Sequence, residues 1–211
     1  MKQILTDVSR QHIRKQGILC SSVVINKDMI LLHKIEKDII LDKHNHPHVQ
    51  LGYCFNGDFD LEAEGNDHRL SKGHSYLLRG GVHHSATAIT DYYSMDFKVM
   101  SESAVLPHQI VYDIFEYNIA DNKKYNIKKA QFENFHVQII SYLQSTAVDI
   151  EIDINRKHYV VLSAPCTLHF EELSSDFRIV EPMKIYQLEA DKTQFKITAN
   201  NDDVEVMLIT Y

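Results

Sequence analysis

The sequence predicts an all-β protein built as two tandem jelly-roll barrels with a few short peripheral helices. Three observations support this prediction. Apolar residues alternate with polar ones in short runs, turn signals recur at regular spacing, and part of the first half of the chain is weakly repeated in the second half. With 211 residues, of which 44% are hydrophobic, the chain can fill one large or two small β-domains.

The strand prediction rests on alternation with a period of two. It is clearest at residues 59–63, 148–152 and 204–208, where every second residue is apolar and the intervening ones are mostly acidic. The segments most similar to helices, Ser9 to Gly17 and Lys128 to Phe135, are short and poorly patterned. We therefore expect any helices to lie at the periphery.

Turn signals divide the first half of the chain into short pieces. Those at residues 56–57, 64–67, 71–73 and 79–81 leave strands of about five to eight residues, the usual length in sandwiches and barrels. A polar, lysine-rich stretch near the middle of the chain interrupts this rhythm. We therefore predict one barrel over residues 1–117, a linker over 118–130 and a second barrel over 131–211.

An internal repeat supports two related barrels. Residues 54–79 align on residues 161–188, with Leu61 over Leu168 and Lys72-Gly73 over Glu181-Pro182. The alignment requires a change of offset after Glu64, in a loop where insertions are tolerated.

Composition restricts the partners and the compartment. A formal charge of -7 and scattered basic pairs give no positive field for nucleic acid. Residues 1–19 contain no unbroken apolar stretch, so neither export nor membrane insertion is expected. The three cysteines, Cys20, Cys54 and Cys166, are far apart and form no Cys-x-x-Cys pair. We therefore predict a cytoplasmic protein.

Histidines cluster in two short segments. Five of the thirteen occur there, namely His44, His46, His48, His83 and His84. His44, His46, His48 and Gln50 share one parity and would project from the same face of a strand, unless Pro47 breaks the register. Converging neutral imidazoles with an oxygen donor suit Zn, Fe, Ni, Mn or Cu, although an isolated His-x-His is equally compatible with a solvated surface.

The spacing of these residues resembles the cupin superfamily. His44-Asn45-His46, three residues, Gln50, six residues and Gly57 follow its first motif. Gly73, five residues, Arg79-Gly80-Gly81, two residues and His84 follow its second motif. The chain departs from the pattern at Asp38, where the family has Gly, at Arg79, where it has Pro, and at Ala88, where it has Asn.

The resemblance implies one divalent metal ion, Zn, Fe, Ni or Mn, held by His44, His46, Gln50 and His84. His48 is the main competitor for a ligand role, because it shares the parity of the other ligands. His83 would face the opposite side of a regular strand and is expected to be a surface or packing residue. In the repeat alignment Glu151, Asp153, Lys157 and Thr193 replace the four ligands, so we predict that the second barrel binds no metal.

The first barrel resembles small cupins of pectin and alginate degradation, which convert unsaturated uronates to keto sugars. This resemblance implies a proton-transfer role for Asp96. A structural hydrogen-bond acceptor is an equal alternative for that residue. Arg79 is a candidate for binding a substrate carboxylate, or for a rim ion pair. After Asp96 the pattern diverges, because Lys98, Val99 and Met100 replace the family's Phe-Ser-Pro.

Three functions are compatible with these features. The first is Lewis-acid isomerisation, tautomerisation or lyase chemistry on a small polar carbonyl or sugar-acid substrate, because a neutral ligand set leaves the full charge of the ion available. The second is a non-haem iron dioxygenase. The third is a non-catalytic barrel that binds or senses a small molecule. Pairing of exposed strands into a homodimer is compatible with each of them.

Overall fold

The structure is a computed structural model, and it describes residues 5–100, 116–119, 125–131, 135–142, 147–171, 175–179, 182–189, 193–200 and 204–211. It divides into two compact units. The first is Ser9–Ile114, and the second combines Met1–Val8 with Phe115–Tyr211. Every regular element in the described ranges is a strand, which confirms the all-β prediction.

The strands are numbered in chain order. They are β1 Leu5–Asp7, β2 Arg10–Lys15, β3 Ile18–Ile25, β4 Asp28–Ile35, β5 Ile40–His44, β6 Val49–Asn56, β7 Phe59–Ala63, β8 Asn66–Leu70, β9 Ser75–Leu78, β10 His84–Ala88, β11 Tyr92–Val99, β12 Glu116–Ile119, β13 Tyr125–Gln131, β14 His136–Tyr142, β15 Val148–Glu151, β16 His158–Leu162, β17 Cys166–Glu171, β18 Ser175–Ile179, β19 Tyr186–Leu188, β20 Gln194–Ala199 and β21 Glu205–Thr210.

The first unit is a sandwich of two antiparallel sheets. The larger sheet has the order β2-β3-β4-β11-β6-β9 and the smaller sheet has the order β5-β10-β7-β8. Strand β7 shows why the sequence alternates, because Phe59, Leu61 and Ala63 are buried while Asp60 and Glu62 are partly exposed. These apolar side chains pack in one core cluster with residues of the larger sheet such as Ile18 and Tyr92.

The second unit repeats the two-sheet arrangement. Its larger sheet has the order β1-β19-β16-β21-β14-β13-β12, and its smaller sheet has the order β15-β20-β17-β18. A core cluster of its own includes Val148, Ile150, Val160 and Leu208.

The predicted peripheral helices are wrong wherever the structure describes the segments concerned. Strand β2 lies within Ser9 to Gly17 and pairs with β3, and β13 covers the start of Lys128 to Phe135 and pairs with β14. Residues 132–134 lie outside the described part of the chain. An isolated helix of this length is only marginally stable in water, so pairing with a neighbouring strand overrides the weak local propensity.

The boundaries of the two units also differ from those expected from sequence. Strand β1 pairs with β19, which places the first residues with the second unit. Strand β13 falls within the predicted linker and pairs on both sides, with β12 and with β14. The lysine-rich composition of this segment concealed the fact that its backbone completes a sheet.

In the described ranges no helix is long and apolar enough to cross a membrane.

Candidate metal centre

Three histidines and a glutamine converge at one end of the first unit. His44 ends β5 and lies directly opposite His84, the first residue of β10. His46 follows in the connection to β6, and Gln50 is the second residue of β6 in the other sheet. One nitrogen from each of His44, His46 and His84 lies within 4.8 Å of the other two, a group that could hold a metal ion.

The shared parity of the ligands predicted that they project from one face of a single strand. The structure brings them together in a different way. Strand β5 ends at His44 and β6 begins at Val49, so residues 45–48 are not a strand. The break includes Pro47, which has no N–H to donate to a sheet. The connection therefore carries His46 back towards the other ligands.

The turn after β9 holds this connection in place. The Gly81 N–H donates to the His46 carbonyl at 2.8 Å. A Cβ at Gly80 would lie only 2.1 Å from the Pro47 carbonyl oxygen, so the backbones approach as closely as they do because residue 80 is glycine. The second sequence motif thus positions a ligand that belongs to the first.

Asp38 and Ala88, two residues that depart from the motif pattern, are joined by a backbone hydrogen bond. Asp38, at the position of the expected Gly, has a φ of 64°, a left-handed conformation that Asp tolerates better than most residues. Its N–H donates to the Ala88 carbonyl at 2.8 Å, and the Ala88 N–H donates to the Ile39 carbonyl at 3.0 Å. The start of the first motif and the end of the second are therefore joined by main-chain atoms alone.

Each histidine of the cluster is oriented by a backbone carbonyl. Nδ1 lies 2.8 Å from the Asp42 oxygen in His44, 2.9 Å from the His48 oxygen in His46, and 2.9 Å from the Val82 oxygen in His84. A carbonyl only accepts, so Nδ1 carries the proton and Nε2 retains its lone pair. This arrangement commonly orients histidine ligands of metal ions.

Gln50 presents its carbonyl oxygen to the same point. Its Nε2 donates to Asp96 Oδ2 at 3.0 Å and to the Tyr76 hydroxyl at 3.1 Å, which fixes the orientation of the amide. Oε1 then lies 2.9 Å from Nε2 of His46. Two lone-pair atoms face each other at this distance, an arrangement that a cation between them would stabilise.

Burial favours the neutral form of two of the three histidines, His46 and His84. Burial is the largest effect and lowers the pKa of His84 to about 4, with the charges of His44 and His46 acting in the same direction. Burial also lowers the pKa of His46, and the charge of Lys98 contributes to that shift. Neutral imidazole is the form that binds a metal ion.

The remaining histidines of the two segments have other contacts. The ring of His48 stacks on that of His46 with centroids 3.8 Å apart and an angle of 3°. Burial lowers the pKa of His48 to about 4. His83 is exposed, and its Nε2 lies 3.1 Å from Nδ2 of Asn45. Neither His48 nor His83 belongs to the group that could hold a metal.

Asp96 lies behind Gln50 in a buried network. Its Oδ1 accepts the Tyr76 hydroxyl at 2.6 Å, and its Oδ2 is 3.2 Å from Nδ1 of His33. Burial would lower the pKa of His33, but the hydrogen bond and charge of Asp96 outweigh it and raise the pKa to about 9. Burial likewise opposes ionisation of Asp96, yet the contact with His33 holds the pKa of Asp96 below its usual value. The two residues therefore form a buried ion pair.

The cluster opens into a cavity of about 480 Å³, a volume that includes its mouth. Its walls include His44, Gln50, His84 and Asp96. Arg79 lies in the turn after β9 and is not among the wall residues, whereas Arg14 and Lys98 are. No motif in the sequence indicates His33 or Arg14 as a site residue. Lys98 has the same parity as Asp96 on β11, and that signal could have placed it in the wall.

The positions aligned with the ligands in the second unit have different surroundings. Glu151 is exposed and accepts a hydrogen bond from Gln194 at 2.7 Å. Asp153 accepts the Asn155 N–H at 2.9 Å, and Lys157 is exposed. The absence of metal from this unit remains a prediction.

Comparisons with known proteins bear on the fold. The sequence matches no protein-family model and no curated protein. AerE from Microcystis aeruginosa is 13% identical, with a TM-score of 0.70 over 99% of each chain. Oxalate decarboxylase from Bacillus subtilis, studied for its Mn(II) centres, is 8% identical, with a TM-score of 0.64 over 100% of this chain and 77% of that chain. KdgF from Halomonas sp. is 26% identical over 46% of this chain and 91% of that chain, with a TM-score of 0.41.

The neighbours that match over the whole chain are proteins of the cupin fold. The chain therefore has that fold, and the prediction of two jelly-roll barrels is confirmed.

Proposed function

We propose that the first barrel is a metal-dependent enzyme that isomerises, tautomerises or cleaves a small polar carbonyl or sugar-acid substrate. The observation that carries this proposal is the pair of lone-pair atoms at 2.9 Å, Nε2 of His46 and Oε1 of Gln50, in the group that one ring nitrogen of each of His44, His46 and His84 forms. Histidine binds a metal ion as the neutral imidazole and glutamine carries no charge, so such a ligand set would leave the full charge of the ion available. A bound dication would polarise a substrate carbonyl or enediol as a Lewis acid.

The chain's own groups suit this chemistry. The cavity combines the polar cluster with apolar walls that include Leu41, Leu61 and Leu78, a mixture of surfaces that is typical of small-molecule sites. Apolar walls exclude water and strengthen electrostatic interactions inside the cavity. Gln50 is held rigidly by two hydrogen bonds, so its oxygen needs little reorganisation to bind the ion.

Two catalytic roles belong to the proposal. Asp96 is a wall residue of the cavity, so a proton-transfer role for it can be tested directly. Its contacts with Gln50, Tyr76 and His33 favour a positioning role instead. Carboxylate recognition by Arg79 finds less support, because Arg79 does not line the cavity.

The test combines metal analysis with a substrate screen. Protein purified without added metal is assayed for bound Zn, Fe, Ni and Mn, then loaded with each ion. The Mn(II) centres of the B. subtilis enzyme make manganese one ion to include. Each form is screened against unsaturated uronates and keto acids, under air and under nitrogen. Turnover under nitrogen with unchanged rate supports the proposal.

Two other outcomes of this test would replace the proposed function with a different one. Activity that requires Fe(II) and disappears under nitrogen would identify an oxygenase, because three-histidine sites also suit iron. Metal binding without turnover of any substrate would identify a binding or sensor barrel.

In Asp96→Asn, loss of turnover with metal affinity retained would establish proton transfer. Parallel loss of metal affinity would establish positioning of Gln50.

A further inference from the structure

The cavity wall contains two cations that the proposed chemistry does not use. Arg14 and Lys98 both line it. Within the described residues, no hydrogen bond or ion pair engages either side chain. Arg14 is exposed and Lys98 is partly exposed, so an anion that enters the cavity would be attracted to both positive charges.

Lys98 lies beside the candidate ligands. It is directly opposite Gln50 in the pairing of β11 with β6, so the two side chains project from the same face of the sheet. Lys98 is only partly exposed, and its charge contributes to the lowered pKa values of His46 and His48. Lys98 is therefore a wall residue of the cavity on the same sheet face as Gln50.

Arg14 reaches the cavity because of an irregularity in β2. Ile13 pairs with Leu19 and Lys15 pairs with Ile18, so Arg14 is an additional residue between two successive pairs. Such bulges commonly redirect a side chain, and they occur near active sites. β2 is an edge strand whose residues are all exposed, Arg14 included, and Arg14 also forms part of the cavity wall. Arg14 also lies close enough to Lys98 for its charge to lower the pKa of that amine.

Among the described residues of the wall, Asp96 is the only carboxylate, and its oxygens already have partners. Asp96 is attracted to Lys98, but its oxygens accept hydrogen bonds from Tyr76 and Gln50 and pair with His33. The charges of His33 and Asp96 cancel. Arg14 and Lys98 therefore remain as net positive charge beside the histidine cluster.

We infer that Arg14 and Lys98 form an anion subsite that binds a carboxylate group of the substrate beside the histidine cluster. This inference rests on the proposed function and narrows its substrate class to carboxylic acids. The planar guanidinium of Arg14 suits bidentate binding of a carboxylate, and the ammonium of Lys98 supplies a point charge. The neutral carbonyl end of the same substrate would then lie against the histidines.

The test measures binding of malonate by calorimetry, with uncharged malonamide as the matched probe. Both metal-depleted and metal-loaded forms of the full chain are used, since the subsite consists of side chains alone. We expect malonate to bind both forms and malonamide to bind neither. Lys98→Met and Arg14→Gln should each weaken malonate binding by roughly tenfold, the usual effect of losing one charged contact. Lys98→Arg, which keeps the charge, should bind malonate within about threefold of the parent.

Matched controls come from the same two regions of the fold. Lys34 is an exposed lysine on β4 and Arg10 an exposed arginine on β2, so Lys34→Met and Arg10→Gln should bind malonate like the parent. Equal weakening in these controls would show general charge screening and overturn the inference. Binding confined to the metal-loaded form and unaffected by Lys98→Met would also overturn it.

Failure of the inference is distinguishable from failure of the proposed function. Charge-dependent malonate binding without turnover of any acid would leave the subsite intact and refute the enzyme. Turnover of an acid whose KM is unchanged in Lys98→Met and Arg14→Gln would support the enzyme and refute the subsite.

Discussion

Nε2 of His46 and Oε1 of Gln50 face each other at 2.9 Å although neither atom carries a proton to donate. Replacing Gln50 with leucine removes the oxygen while keeping a similar volume. We expect the affinity for Mn(II) or Zn(II) to fall by at least about tenfold, because one of four ligands is lost. Competition with a metallochromic chelator measures this change. Unchanged affinity would exclude Gln50 as a ligand.

The ion pair of His33 and Asp96 predicts a pH dependence of stability. The pKa of His33 is raised to about 9 in the folded chain, from 6.5 in the absence of neighbours. The stabilisation is therefore complete below pH 6.5 and is lost as the pH rises through 9. We expect His33→Gln to lower the free energy of unfolding by about 3 kcal/mol at pH 6 and by much less above pH 9.5.

Urea titrations of the parent and of His33→Gln across this range measure the difference. His12→Gln is the control, because His12 is exposed on β2. A difference between parent and His33→Gln that stays constant from pH 6 to 9.5 would contradict a charged His33.

The close approach of Gly80 to Pro47 predicts the effect of a single methyl group. A Cβ at residue 80 would meet the Pro47 carbonyl oxygen at 2.1 Å and must displace the connection that carries His46. We expect Gly80→Ala to lower metal affinity by about tenfold or more. Gly65→Ala is the matched control, because a Cβ there also meets nothing within 4 Å, φ is 81°, and the residue lies in the turn between β7 and β8. That variant should lose about 1 kcal/mol of stability and keep its metal affinity. Equal metal affinity in both variants would show that the close approach of Gly80 to Pro47 does not position His46.

The turn between β7 and β8 offers a stabilising substitution. Glu64 and Gly65 have φ values of 53° and 81°, as in the two-residue turns that prefer Asn-Gly. We expect Glu64→Asn to raise the free energy of unfolding by about 0.5 kcal/mol, because asparagine adopts this conformation at lower cost. Thermal melts measure the gain. A lower melting temperature in Glu64→Asn would show that the glutamate side chain contributes contacts of its own.

The ligand candidates could be found from sequence because their spacing is local. His44, His46, Gln50 and His84 lie in two short segments, and the structure brings these same residues together. Alternation of apolar residues likewise predicted strands such as β7 and β15. These features depend on spacing along the chain, which a sequence displays directly.

Features that depend on long-range pairing could not be predicted. The bulge that directs Arg14 into the cavity is set by the register of β2 on β3. The pairing of β1 with β19 joins residues more than half the chain apart. The contact of His33 with Asp96 requires β4 and β11 to be neighbours, which no local pattern shows. The compartment, the homodimer and the exclusion of nucleic acid stay predictions.

The most direct test of the metal centre is the metal content of three proteins. The parent, His46→Ala and His48→Ala are purified in parallel with Mn, Fe, Ni and Zn offered at equal concentrations, and bound ions are counted by elemental analysis. His46 belongs to the cluster and His48 only stacks against it. We predict about one ion per chain in the parent and in His48→Ala, and almost none in His46→Ala. Metal retained by His46→Ala and lost from His48→Ala would contradict the ligand set, and a parent without metal would contradict the site.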